Sequence, residues 1–452
     1  MSSVLVKNGI VITPSGAYKW DVKIVDGLIA EVGTDLSSSG VEEVIDASGC
    51  YVLPGVVDEH VHMREPGLEY KDDFEHGSKA AIKGGVTTVV EHPNTLPPAD
   101  SAERLLSKAK LLESKAYVDF ALLGVLHDAN VHEFEDMLAA GAVGFKVFMG
   151  PTTGNIPPPS DKALYELLEK SGKTGTRIMF HAEDHSLVEY FTERARKLGE
   201  DPSLHDEARP PLAEVYSIAK ISVLAKHADG RVHIVHVSSR DALEAIKAAK
   251  RAGVDITSET CPHYLVLDKS DYAKYGALIK VNPPIRDSSH RRALLEAVAS
   301  GFFEAIGSDH APHAPHEKSG SIWEAASGMP GVQTLLPLVM DLALRGLIPL
   351  TRIPQLLSEN PAKLLGLWPF KGAVMPGSSG DLVVFDPSGE LEVTPEWLEY
   401  KHKLSPYLGW RLRGRVRHVI LRGHVVVREG ELTGIRAGRW VKGVYSRGSA
   451  SS

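Results

Sequence analysis

Two histidines stand two residues apart at the end of an apolar run in PGVVDEHVHMREPG, Pro54 to Gly67: His60 and His62. In an extended strand that spacing puts both imidazoles on one face. Further along, Lys146 lies in GFKVFMG, His181 in MFHAED, His236 in HIVHVSS and Asp309 in GSDHAPH, each in or just after another short apolar run. Any one of them alone is more simply a hydrogen-bonded core or surface group. Together, four imidazoles and a carboxylate at the ends of apolar runs form a metal-ligand inventory. Lacking thiolates, it suits zinc, with manganese, cobalt or iron as alternatives. Lys146 is the odd member, because an ammonium is repelled by divalent cations. Two readings stay open for it: a neutral amine that takes up carbon dioxide and becomes an anionic carbamate ligand, or a snorkelling or salt-bridged lysine.

These residues need elements that bring them together. Eight apolar runs, GVVDEH, VTTVVEH, VDFALLGV, VGFKVFM, RIMFHAE, VHIVHVSS, DITSETC and EAIGSD, alternate with stretches such as DSAERLLSKAKLLESK, DKALYELLEKSG and HRRALLEAVASG. The connectors place Leu and Ala at spacings of three and four, with Gly near their ends. Eight βα units predict an α/β fold, a (β/α)8 TIM barrel over residues 54–370, whose active site lies where the strands end. Residues 1–53 and 371–452 read instead as short strands separated by turns such as Asn-Gly and Asp-Gly. They predict one small β-sandwich built from both chain termini, with the tail SRGSASS unstructured.

Composition narrows the functional classes. Lys plus Arg number 50 and Asp plus Glu 58 in 452 residues, a formal charge of −8 with no basic tract, so no nucleic-acid partner is expected. Two cysteines, Cys50 and Cys261, supply no disulfide framework, which fits a reducing, cytoplasmic setting. MSSVLVKNGIVITPSG lacks a signal-peptide pattern, and no run of about 18 apolar residues occurs, so no membrane association is expected.

The sequence resembles the cyclic amidohydrolases of the amidohydrolase superfamily: dihydroorotases, allantoinases and hydantoinases. The resemblance rests on VLPGVVDEHVHMREPG, GGVTTVVEHPNTLPP, GFKVFMG, HAED, HVSS, ETCPHYL, VNPPIRD, GSDHAPH, GMPGVQTLLPL and SPYLGWRLRGRV, nearly the whole chain. It implies a barrel holding two divalent metal ions, zinc above all. His60, His62 and Asp309 would hold one and His181 and His236 the other, with Lys146, carboxylated by carbon dioxide, bridging them. It also implies attack on a cyclic amide by hydroxide bridging the ions, with Asp309 as the catalytic proton carrier to the departing nitrogen.

Within that group the expectation is dihydroorotase, which opens dihydroorotate to N-carbamoyl-L-aspartate in pyrimidine synthesis. Arg64 carries it, since a guanidinium fork matches a carboxylate that dihydroorotate has and simple hydantoins lack. Asn94, Asn282 and His313 match substrate-binding positions by the same analogy. GFKVFMG and LEYKHKLSPYLG look as much like allantoinases and hydantoinases, so cyclic ureide hydrolysis is the alternative. A non-catalytic hydantoinase-like scaffold is a distant third, because scaffolds lose metal ligands and all six are present here. The expected partners are a small-molecule substrate and further copies of the chain in a homo-oligomer, with association with another pyrimidine-pathway enzyme left open. Three histidines stay outside the assignment. His233, an odd number of residues from His236, is expected to face the other side of its strand as a structural group. His92 replaces a Met usual before Pro-Asn, and His263 is second-layer or structural.

Overall fold

The computed structural model describes residues 3–151, 154 and 156–444; the SRGSASS tail lies outside them. Eight strands pair in sequence order, all parallel: β1 (Val56–Val61), β2 (Val86–Glu91), β3 (Asp119–Val125), β4 (Gly144–Phe148), β5 (Ile178–His181), β6 (Arg231–Ile234), β7 (Asp255–Thr260) and β8 (Ala305–Ile306). Runs buried along their whole length, such as VTTVVE in β2 and DFALLGV in β3, suit strands covered on both faces. Helices return the chain between them. Ser101, Ser160 and Ser239 start Ala102–Glu113, Asp161–Thr174 and Arg240–Arg251, each side chain accepting the N–H of the third helical residue. The predicted (β/α)8 barrel is therefore present.

The ring is thinnest where β8 meets β1. A parallel bridge between Val61 and His310, the His62 N–H to His310 carbonyl bond of 2.7 Å, and the Ser308 N–H to Asp58 Oδ1 bond of 3.0 Å close it. Two expected strands are shorter than their apolar runs. β6 stops at Ile234 and β8 at Ile306, so His236 and Asp309 sit past the strand ends with positive φ of 42° and 46°.

Both termini build the β-sandwich. One sheet orders Leu28–Gly33, Asp21–Val25, Ser3–Lys7 and Glu43–Asp46; the other joins Tyr51–Pro54 and Ile10–Thr13 edge to edge with Leu382–Glu392, Arg411–Leu421 and His424–Arg428, Tyr51–Pro54 pairing with Leu382–Glu392. Val4, Val22, Ile24 and Val52 pack with Leu382, Ile420 and Val425 in one core. A buried charge cluster ties sandwich to barrel. Lys371 Nζ lies 2.6 Å from Asp119 in β3 and 2.6 Å from Asp381, and Arg422 also pairs with Asp119. After its last strand the chain returns to the barrel, where Val441 N–H bonds the Phe120 carbonyl at 2.7 Å.

Candidate metal centre

His60 lies in β1 and His62 just past its end. Pairing between β1 and β2 is irregular from Asp58 to Val61, so the strand's simple alternation is lost where the imidazoles are needed. The Nε2 atoms of His60 and His62 converge on Asp309 Oδ1 at 3.3 and 3.5 Å. Their Nδ1 atoms are held from behind, His60 by the Glu259 carboxylate and His62 by Asn94 Oδ1 at 2.7 Å. Those oxygens accept, so Nδ1 carries the proton in both rings and Nε2 presents its lone pair to the centre.

The second pair repeats the device. His181, at the end of β5, faces Glu183 Oε2 with Nε2 at 3.0 Å, and Arg209 holds Glu183 through contacts of 2.6 to 3.1 Å. Burial would push Glu183 up, but Arg209 and His181 hold its carboxyl well below the usual range. His181 Nδ1 is thereby left to meet His236 Nε2 at 2.9 Å. Lys146 of β4 is buried beside them, its Nζ without a hydrogen-bond partner among the described residues.

Burial above all holds the four imidazoles below their ordinary pKa, hence neutral and able to ligate. Burial also pushes Lys146 down to about 8 and Asp309 up to about 6. Lone pairs converging on a carboxylate, two facing imidazole nitrogens and a partnerless buried amine form a donor set that a pair of divalent cations fits.

The remaining histidines acquire places. His92 stacks on His60 with ring centroids 4.0 Å apart and faces the Glu59 carbonyl with Nε2 at 3.2 Å, so it braces the ligand from behind. One of its ring nitrogens lies within 4.8 Å of a ring nitrogen of His60 and of His62. His233 corrects the strand-parity expectation. Its Nε2 lies 3.8 Å from Glu59 of β1 and 3.8 Å from Glu259 of β7, contacts that only the barrel interior allows. Because β6 ends before His236 and φ there is positive, counting alternate residues does not carry across; both histidines face inward, with His233 at the level of Met179 and Thr257. His263 is buried and pushed down to about 4 by burial, and it is not among the residues that line the cavity.

A cavity of about 300 Å³ opens over the centre, and the predicted substrate residues Arg64, Asn94, Asn282 and His313 all line it. Their availability differs. Asn94 spends its carbonyl oxygen on His62, and Asn282 Oδ1 meets His205 Nε2 at 3.0 Å. His313 is held on both nitrogens, by the Ser327 carbonyl at 3.0 Å and by Lys71 Nζ at 3.0 Å. A terminal nitrogen of Arg64 also lies 3.2 Å from His313 Nε2, and the Glu317 carboxylate 3.3 Å from Nδ1, so each ring nitrogen faces one donor and one acceptor. Arg64 Nε donates to the Pro312 carbonyl at 2.9 Å, and φ is +67°. Three site residues, Arg64, His236 and Asp309, thus occupy the left-handed region, at a cost of about 1 to 2 kcal/mol each.

The layer behind the candidate ligands was missed in the sequence: Glu259, the Glu183–Arg209 pair, and Lys71, which also pairs with Glu317 at 2.7 Å. Glu259 and Glu183 stand in the same ETCPHYL and HAED segments as the motifs, so a search for carboxylates at strand ends would have found them.

A model of the amidohydrolase family matches residues 51–426. An allantoinase of Rubrobacter xylanophilus is 37% identical over 450 residues, 98% of each chain, and an allantoinase of Escherichia coli O1:K1 is 35% identical over 434 residues, 94% of each. Among solved structures, the L-hydantoinase (dihydropyrimidinase) of Arthrobacter aurescens superposes with a TM-score of 0.95 at 32% identity, covering 98% of this chain and 100% of that one. The dihydropyrimidinase of Brevibacillus agri gives 0.91 at 31% identity, covering 98% of each. No helix among the described residues is long and apolar enough to cross a membrane.

Proposed function

This chain belongs to the amidohydrolase family, and from that premise we propose that it opens a cyclic ureide, with allantoin the first substrate to test and a hydantoin the second. It is a metal-dependent cyclic amidohydrolase. The observation that carries the finer reading is the end-to-end similarity to allantoinases, 98% of both chains in the first case. The dihydroorotase expectation gives way to it, because the relatives found bear the names of ureide-opening enzymes.

Two divalent ions, zinc first, would be held by His60, His62 and Asp309 and by His181 and His236. When bound, they supply Lewis-acid polarisation of the ring carbonyl and acidify water. Lys146 would join both as a carbamate: the neutral amine adds to carbon dioxide, a nitrogen–carbon bond forms and a proton leaves. Its burial, with the amine pushed down to about 8, favours the neutral reactant. Asp309, lining the cavity, carries a proton to the ring nitrogen as the amide bond breaks. Arg64, which lines the cavity, orients a ring carbonyl or a ureide oxygen.

One observation favours a second reading. Arg64 lines the cavity wall beside His313, a guanidinium suited to the carboxylate of dihydroorotate. The test offers allantoin, hydantoin and dihydroorotate separately to metal-loaded protein. Fastest opening of allantoin supports the proposal, fastest opening of dihydroorotate transfers it to the second reading, and no turnover of any of the three refutes both.

A further inference from the structure

One layer deeper in the barrel, three strands bring a second group of donors together. Glu59 of β1, His233 of β6 and Glu259 of β7 are each 0% exposed, and one ligand atom from each lies within 4.8 Å of the other two. Among the described residues neither carboxylate oxygen of Glu59 has a hydrogen-bond partner, and Glu259 Oε2 and His233 Nε2 have none either. The His233 proton is placed by the other ring nitrogen. The Thr257 hydroxyl donates to the Val232 carbonyl at 3.2 Å, so its oxygen accepts from His233 Nδ1 at 2.8 Å. In the neutral ring, Nε2 therefore turns a lone pair toward Glu59 Oε1 and Glu259 Oε2, each 3.8 Å away. Acceptors that face one another in a dry interior with no donor between them are costly. A single cation relieves all of them.

We infer that this cluster is a further divalent-cation site, closed and structural, in which His233 Nε2, Glu259 Oε2 and both oxygens of Glu59 are the four donors. One imidazole and two carboxylates suit zinc first and manganese second. Zinc with bonds of roughly 2.0 to 2.2 Å in trigonal or tetrahedral geometry sets neighbouring ligand atoms about 3.3 to 3.8 Å apart. The two His233 contacts stand at the top of that range, so a small inward movement of the side chains completes the shell. Thr257 backs His233 as Asn94 backs His62, the outer partner that fixes a ligating imidazole. An ion here ties β1, β6 and β7 together across the barrel interior. Glu259 joins it to the centre above, since its Oε1 holds His60 Nδ1 while its Oε2 faces His233. The other occupants of such a cluster are a proton shared by the two carboxylates and a buried water, and neither brings a metal.

The test is zinc analysis of the full chain, expressed with zinc and then dialysed against a strong chelator. With every donor buried, the deep ion is expected to be the last to leave: the parent keeps one zinc per chain after the exchangeable ions have gone. Glu59→Gln and His233→Leu should each hold one zinc fewer than the parent, whereas Lys146→Ala, which disturbs the centre alone, should keep the chelator-resistant one. The anomalous difference map of parent crystals at the zinc edge answers without a substitution, should a variant fold poorly. A peak between Glu59, His233 and Glu259 supports the site. A parent map without that peak, or folded Glu59→Gln and His233→Leu that hold as much zinc as the parent, overturns it and leaves the cluster to a shared proton or a water.

Discussion

Arg209 makes no contact with the candidate ions, yet its removal should empty half of the centre. Its guanidinium holds Glu183 by three contacts, and both groups are buried. In Arg209→Met the carboxylate keeps one partner, His181 Nε2 at 3.0 Å. Breaking a buried ion pair from one side costs about 3 to 5 kcal/mol, since the other charge stays in low dielectric. The uncompensated carboxylate then favours the imidazolium of His181, which puts a proton on Nδ1, the nitrogen that faces His236. Proton and metal compete for that lone pair. Loss of an outer partner typically lowers metal affinity by about 10- to 100-fold, or about 1.4 to 2.7 kcal/mol. Urea unfolding measures the first figure, and metal analysis after dialysis against a graded chelator measures the second. The variant should release one ion per chain well before the other. Adding Glu183→Gln removes the stray charge and should recover part of both losses. A double variant worse than Arg209→Met, or a single variant within about 0.5 kcal/mol and twofold of the parent, refutes the reasoning.

Three further outcomes follow from the same contacts. Lys146→Ala should lose most of its metal and turnover, and formate or acetate should restore part of the turnover; full metal occupancy without either would remove Lys146 from the centre. Glu259→Gln, behind His60, should weaken metal binding by about 10- to 100-fold with little change in fold by circular dichroism. Lys371→Met should destabilise the chain by about 3 to 5 kcal/mol at neutral pH. Against burial, which raises it, Lys371 and Arg422 hold the Asp119 pKa below its ordinary value, so its contribution is present above that value and lost as pH falls through the folded pKa. The gap between Lys371→Met and parent in urea unfolding should therefore be flat near neutrality and shrink in acid; a gap that widens there would be inconsistent with the assignment.

Much of this arrangement is legible in the residues because the barrel repeats one signal. Eight apolar runs of β-branched and large side chains alternate with helices, several of them capped by Ser or Asp, and announce themselves locally. The terminal sandwich is legible too, through its hairpin turns, although the pairing of Tyr51–Pro54 with Leu382–Phe385 is a tertiary fact. What stays hidden is geometry at strand ends. Period-two counting fails for His233 and His236 because the strand stops between them and the backbone turns left-handed. Asn94 and His313 stand where the resemblance puts substrate contacts, but each is engaged by a neighbour. Only the fold reveals that His62 claims the carbonyl of one and that Lys71 and Ser327 claim the ring of the other.

The thin closure between β8 and β1 bears on how the protein is made. Ser308 and Asp58 are 250 residues apart, so at roughly 5 to 20 residues per second a ribosome needs roughly 12 to 50 s to deliver the second half of the joint. Throughout that interval β1 lacks its β8 neighbour, and His60 and His62 wait without Asp309. A histidine pair lacking that carboxylate has no geometry with which to refuse the tighter-binding cations of the divalent series. A selective centre therefore needs the finished ring, and metal uptake is expected to follow synthesis of the last strand.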